Sequence, residues 1–248
     1  RAGHEAKHAE NYRINSFHLG EGSPKQKFRA NMDAIYTLKA LENQHRDATP
    51  EEQETLANYV GWGGLADAFD AEKTAWTGEY KELKAALTEE EYAAARASTL
   101  NAHYTSPTVI RAIYEALDSM GFEKGNILEP SMGVGNFFGM LPDSMLGSRL
   151  YGVELDSITG RIAQKLYPQA EIKVAGFETT DRRDFYDLAV GNVPFGQYRV
   201  NDKAYNKLGF SIHNYFFAKA IFTFTTANAV TKMCVILSEQ SILLSFTV

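Results

Sequence analysis

Between Asn126 and Phe138 the sequence runs Asn-Ile-Leu-Glu-Pro-Ser-Met-Gly-Val-Gly-Asn-Phe-Phe, and few folds accommodate such a stretch. Ile127 and Leu128 close a short apolar run that predicts a buried parallel strand. Glu129 and Pro130 end it, Gly133 and Gly135 follow with one residue between them, and Phe137 opens an apolar segment that predicts a helix start. In a strand, tight glycine turn and helix start, a backbone without Cβ atoms lets a nucleotide-like ligand approach closely. The stretch lacks the Lys-Ser/Thr of a phosphate-binding loop. It also lacks the third glycine of the dinucleotide fingerprint, because Asn136, Phe137 and Phe138 come before Gly139. Alone, a Gly-x-Gly pair fits an ordinary turn equally well.

The surrounding pattern narrows the choice. Strands are predicted at 127–129, Arg149–Glu154, Glu171–Val174 and 188–190, with helices at 108–120, 137–140 and Ser157–Leu166. Ser106-Pro107 supplies an N-cap and first-turn pair for the first of those helices. Such alternation predicts an α/β fold, an open parallel sheet with helices on both faces, in which ligands sit beyond the carboxyl ends of the strands. Glu129, Glu154, Phe177, Glu178 and Asn192 all fall at such ends. Glu154 follows Glu129 by 25 residues, close to the roughly 20-residue interval at which an acid meets ribose hydroxyls. After the last of these strands comes Gly191-Asn192-Val193-Pro194-Phe195-Gly196, an amide, a rigid proline and an aromatic ring at the mouth of the same sheet. An amide oxygen and a backbone carbonyl together accept both hydrogens of an exocyclic amine, while an aromatic face stacks on the ring that bears it.

Residues 1–100 predict a helical appendage without a catalytic constellation. Phe28, Met32, Ile35, Leu38 and Leu41 recur at helical spacing. Thr49-Pro50-Glu51-Glu52 and Thr88 with Glu91 are capping boxes, and a further helix is predicted at 79–87. The Glu89-Glu90-Glu91 run reads as a helix first turn, and Trp62 between glycines as an aromatic anchor of a turn rather than a stacking platform. His4 and His8 lie one helical turn apart with no third ligand, which favours a solvated leader over a metal site.

The formal charge of −6 argues against a protein that grips duplex DNA unaided; any such grip is local or supplied by another part of a larger protein. The lone cysteine, Cys234, excludes an internal disulfide framework and fits a reducing cytoplasm, and no run approaches the ~18 apolar residues of a membrane span. The first residue, Arg1, is not methionine, which leads us to expect a piece of a longer polypeptide.

Taken together, Glu129-Pro-Ser-Met-Gly-Val-Gly-Asn-Phe137 and Asn192-Val-Pro-Phe195 resemble the cofactor and catalytic motifs of the N6-adenine DNA methyltransferases. His103-Tyr-Thr-Ser-Pro107 is similar to the Tyr/Phe-Thr-Pro element that precedes the cofactor motif in one subclass. The segment from Asn11-Tyr-Arg-Ile to Tyr59-Val-Gly-Trp-Gly-Gly64 looks like the leader of large helicase–methylase fusions of mobile elements. The resemblance spans about residues 11–221 and implies a Rossmann-like core at 101–221, S-adenosylmethionine as cofactor and a flipped adenine of DNA as substrate. It implies that Glu129, Pro130, Gly133 and Gly135 form the cofactor floor, that Glu154 binds its ribose, and that Phe177 and Glu178 meet its adenine. Tyr104 and Thr105 would close over the methionine end; Asn192 and the carbonyl of Val193 would hold the target amine, with Pro194 stiffening the loop and Phe195 stacking on the base.

Two departures stand out. Val193 occupies a position where the motif usually carries proline, which leaves the carbonyl in place at some loss of rigidity. Residues 222–248 depart from the expected continuation: 233–237 predict a fifth strand, and no further strands or target-recognition region are expected. The sheet is therefore expected to be C-terminally incomplete, with weak or no turnover from this chain alone. Two other readings stay open: a protein-glutamine methyltransferase, and a degenerate methyltransferase fold acting as a binding or anti-restriction module.

Overall fold

The computed structural model describes residues 9–15, 20–100, 105–195, 199–223, 232–238 and 241–247. His4, His8 and Tyr104 lie outside them, as do residues 224–231 of the departing segment.

Local capping starts most helices. In α1 (Pro24–Gln44), Ser23 and Gln26 form a capping box that the helical periodicity from Phe28 does not announce, and Phe28, Met32, Ile35, Leu38 and Leu41 are buried. Thr49 with Glu52 caps α2 (Pro50–Ala57), and Thr88 with Glu91 caps α4 (Glu89–Ala97), both as expected; α3 (Thr77–Ala86) lies between them. Ser106 and Pro107 open α5 (Pro107–Ser119), which buries Ile110, Tyr114 and Leu117.

Among the described residues six strands follow: β1 (Asn126–Glu129), β2 (Arg149–Glu154), β3 (Glu171–Val174), β4 (Leu188–Asn192), β5 (Lys232–Ser238) and β6 (Ser241–Thr247). The short helix α6 (Asn136–Gly139) follows β1, α7 (Ser157–Leu166) links β2 to β3, and α8 (Ile212–Phe222) precedes β5. Strand order is β3-β2-β1-β4-β5-β6, with the first five strands parallel and β6 antiparallel to β5. This is an open, Rossmann-like α/β sheet preceded by a helical region, as expected. The expectation that no strand follows the fifth needs correction. β6 pairs along its whole length, from Ser238↔Ser241 to Lys232↔Thr247. Its Ile-Leu-Leu-Ser-Phe-Thr composition suits a strand, a signal that the departure from the family pattern obscured.

The sheet alternates its side chains between two cores. Ile127, Leu188 and Val190 face a large core shared with α5, α7 and the N-terminal helices. Leu128, Val153 and Ala189 face a smaller one with Ile212, Tyr215, Phe216 and Ala220 of α8. The large core runs without a break from Phe28 to Leu188, so the helical region is fused to the sheet. Trp62, 1% exposed and packed edge-on to Phe69 and Tyr59, anchors that core, as its turn-anchor reading predicts.

The fusion runs through α7. Arg161 pairs with Glu42 of α1 at 2.9 Å and with Glu91 at the start of α4. Lys165 donates to the Arg46 carbonyl at 2.7 Å, and Gln53 of α2 donates to the Leu166 carbonyl at 3.3 Å. The leading segment is tied down as well: the Tyr12 N–H donates to Leu166 O at 2.8 Å and that of Ile14 to Gly139 O at 2.9 Å. The helical region thus buttresses the helix that begins just after Glu154.

Candidate active site

Strand order reverses at β1, whose neighbours are β2 on one side and β4 on the other. In open α/β sheets the crevice at such a reversal is where ligands bind. The two sequence motifs arrive there from opposite sides, Glu129 ending β1 and Asn192 ending β4. They are near neighbours: a Cβ on Gly191 would stand 3.4 Å from Glu129 Cγ and 3.6 Å from Pro130 Cδ.

The turn after β1 is built by its glycines. Gly133 and Gly135 have φ of 57° and 84°, the left-handed region that side chains disfavour. Gly135 is excluded from carrying a side chain by packing too, because a Cβ there would lie 2.5 Å from Tyr167 Cε2 and 2.9 Å from Met132 Cε. Its direct role is thus to let the turn settle on the core. Gly133 faces the other acid: its N–H donates to Glu154 Oε2 at 2.8 Å, while the Asp156 N–H donates to Glu154 Oε1 at 2.8 Å. Asp156 in turn caps α7 through the Thr159 N–H and hydroxyl. Glu154 is therefore held by backbone at both oxygens, each of which retains acceptor capacity.

Glu129 is held differently. It is 2% exposed, and its Oε2 has no hydrogen-bond partner among the described residues. Burial, then the neighbouring Glu154 charge, pushes its carboxyl well above the ordinary range. Burial also pushes Glu154 up to about 7, against the pull of the Asp156 and Gly133 N–H groups. Two adjoining carboxyls, one with an orphaned oxygen, make a site that a cationic ligand bearing hydrogen-bond donors would complete.

The other expected residues are placed as follows. Pro130 is buried beside Gly191, and Thr105 is half-buried just before the Ser106 cap. Phe177, 3% exposed, stacks on Phe216 with centroids 5.2 Å apart, while Glu178 beside it is exposed. Asn192, Pro194 and Phe195 are half-buried, whereas the Val193 side chain is buried with Leu128, Ala189 and Phe216. That packing accounts for an aliphatic residue where proline is usual: the side chain anchors the loop that the proline would have stiffened.

Sequence reasoning missed a buried polar cluster behind this loop. Asp202 Oδ2 accepts from Lys219 Nζ and from the Tyr215 hydroxyl, each at 2.8 Å, and the Lys219 and Asp202 side chains are 7% and 11% exposed. These hydrogen bonds hold Asp202 below its ordinary pKa although burial alone would raise it. The available signal was a lone lysine in the apolar Tyr215–Phe222 run.

No protein-family model matches the chain. It is 27% identical over 180 residues, 71% of its length, to Defense against restriction protein B of Escherichia phage P1. It is 34% identical over 92 residues, 37% of its length, to Type II methyltransferase M.CvrRI of Paramecium bursaria Chlorella virus XZ-6E. The chain spans 6% and 24% of these two relatives. A solved structure, the O-methyltransferase from Bacillus cereus in complex with SAH, aligns at 16% identity and TM-score 0.35 over 71% of this chain and 72% of that one. Among the described residues no group of His, Cys, Asp and Glu is arranged to hold a metal ion, and no helix is long and apolar enough to cross a membrane.

Proposed function

We infer that this chain is the catalytic part of an S-adenosylmethionine-dependent methyltransferase that modifies the N6 amine of adenine in DNA. The observation that carries the reading is the pairing of the Glu129–Glu154 carboxyls at the end of β1 and β2 with Asn192 at the end of β4, across one crevice. The residues fit the cofactor chemically: its ammonium and sulfonium charges would offset the buried Glu129 and the half-buried Glu154, and its ribose hydroxyls would donate to the free lone pairs of Glu154. When bound, it supplies a methyl group attached to positive sulfur.

The residues of this chain position the acceptor. The Asn192 side-chain oxygen and the Val193 carbonyl would take the two hydrogens of the amine and leave its lone pair free to accept a methyl group. Phe195 stacks on the base, which must leave the duplex to be reached. The cofactor would supply the methyl group to the amine nitrogen that Asn192 and Val193 hold, and the surplus proton on that nitrogen would pass to water. Positioning supplies most of the acceleration, and no strong base is needed. Phe177, with Glu178 beside it, would flank the adenine end of the cofactor, and Thr105 its methionine end.

The likeness to phage and viral proteins named for restriction defence and for methylation supports DNA as the substrate and a larger parent protein. A second reading, a catalytically degenerate methyltransferase fold that serves as a binding or anti-restriction module, is in keeping with the name of the phage P1 relative. Calorimetric titration with S-adenosylmethionine tests the first step. Saturable binding, weakened about 100-fold in Glu154→Gln by loss of hydrogen bonds to a charged acceptor, is expected. Absence of binding by the folded chain overturns the reading.

A further inference from the structure

The chain is acidic overall, yet the segment joining β4 to α8 is not. Arg199, Lys203 and Lys207 are exposed on it, and none of them forms an ion pair among the described residues. Its one acid in that span, Asp202, is neutralised inward by Lys219. The outward charge of 199–210 is therefore purely positive, directly downstream of the Asn192–Phe195 loop.

Beside these cations lies a cavity of about 290 Å³, lined in part by Arg199, Asn201, Tyr205, Phe210 and Tyr215. None of residues 192–195 lines it, so it is separate from the place assigned to the target base. Its aromatic wall is backed by the small core: Val200, Tyr205 and Phe210 pack against the cluster that contains Val193. The Asp202–Lys219–Tyr215 cluster fixes the segment from below, and Tyr205 meets Tyr215 edge-on at 5.4 Å. A concave aromatic wall lined also by Arg199, Asn201 and Asn206, with Lys203 and Lys207 exposed on the same segment, suits a nucleotide, the base stacking inside and the phosphates outside.

We propose that this cavity is a second nucleotide subsite, which holds an unstacked base of single-stranded DNA next to the target while Arg199, Lys203 and Lys207 contact the adjoining phosphates. The proposal rests on the reading of the chain as a DNA methyltransferase and supplies the local grip that an acidic chain otherwise lacks. Because the segment is anchored before DNA arrives, little ordering cost opposes binding.

The test is fluorescence anisotropy with a labelled 12-nucleotide single-stranded DNA across a salt series, for the full chain and four variants. Three lost phosphate contacts lower the log–log salt slope by about 2, which is roughly 100-fold in affinity at 0.1 M salt. The triple variant Arg199→Ala, Lys203→Ala, Lys207→Ala is expected to show that loss. The control Lys81→Ala, Lys124→Ala, Arg149→Ala removes equal charge elsewhere and is expected to bind nearly as the parent chain does. Phe210→Ala is expected to weaken binding roughly 10-fold with the salt slope unchanged, and Phe210→Tyr to restore it. Absence of DNA binding by the parent chain, or equal losses in loop and control variants, overturns the proposal. Calorimetry with S-adenosylhomocysteine on the same samples separates the two claims. Cofactor binding without a loop effect sinks only the subsite; a loop effect without cofactor binding sinks the methyltransferase reading.

Discussion

Replacing Glu129 by glutamine should change how stability depends on pH more than it changes the structure. The carboxyl is buried, one oxygen lacks a partner, and Glu154 stands close enough for its charge to oppose ionisation. In the unfolded chain the same group ionises near about pH 4.3. The folded protein thus holds a proton that the unfolded chain has released, so the stabilisation is full at acid pH and is lost as pH rises through the folded value. One such proton gives a slope of about 1.4 kcal/mol per pH unit. Glu154, raised to about 7, adds a second slope of the same sign. Between about pH 5 and 6 the wild-type protein should therefore lose about 2–3 kcal/mol through these two groups, and Glu129→Gln about half as much. Acids held low, Glu52 at about 2 and Asp202, lose their contribution only below this window. Urea unfolding of both proteins at half-unit steps from pH 5 to 8 measures the difference. Parallel profiles would refute the assignment of a retained proton to Glu129.

Further outcomes follow from the same geometry. Gly135→Ala combines a φ of 84° with a Cβ 2.5 Å from Tyr167, and should cost about 2–4 kcal/mol, read as a drop in melting temperature of about 5–12 °C; an unchanged melt would show that the turn relaxes freely. Arg161→Met leaves Glu42 without this partner and Glu91 with Lys39 alone, and should cost about 1–3 kcal/mol, with faster amide exchange in α1 and α4 than in β1 if the link is to the helical region. Uniform exchange loss would argue otherwise. A cationic cofactor favours ionised Glu129 and Glu154, so its binding near pH 6 should release protons and strengthen as pH rises through about 7. Titration heats that do not vary with the ionisation enthalpy of the buffer would contradict this.

The parts of this fold written in local chemistry were readable from the sequence. Thr49 with Glu52, Thr88 with Glu91, and Ser106 with Pro107 start their helices as their spacing requires, and the first four strands fall within two residues of their apolar runs. The two motifs could be placed at strand ends because parallel sheets put their connections there. What depends on distant pairing was not readable. Arg161 joins residues 119 and 70 positions away, and no periodicity announces such a contact. The orphaned oxygen of Glu129 depends on what the surrounding core fails to offer. Gly135 reads as a ligand-approach glycine in sequence, yet Tyr167, 32 positions on, is what crowds it. β6 shows the opposite case: its strand composition is present in the sequence, although the segment departs from the expected family pattern.

The central claim, methyl transfer to adenine positioned by Asn192, is tested most directly by the product. The chain, in excess over a mixed-sequence DNA, is incubated with methyl-labelled S-adenosylmethionine, and the DNA is digested to nucleosides and resolved by mass. The account predicts label in N6-methyladenine with the wild-type chain, and its loss in an Asn192→Ala variant that still binds the cofactor. Label in protein or in cytosine, or undiminished N6-methyladenine from the Asn192→Ala variant, would contradict it.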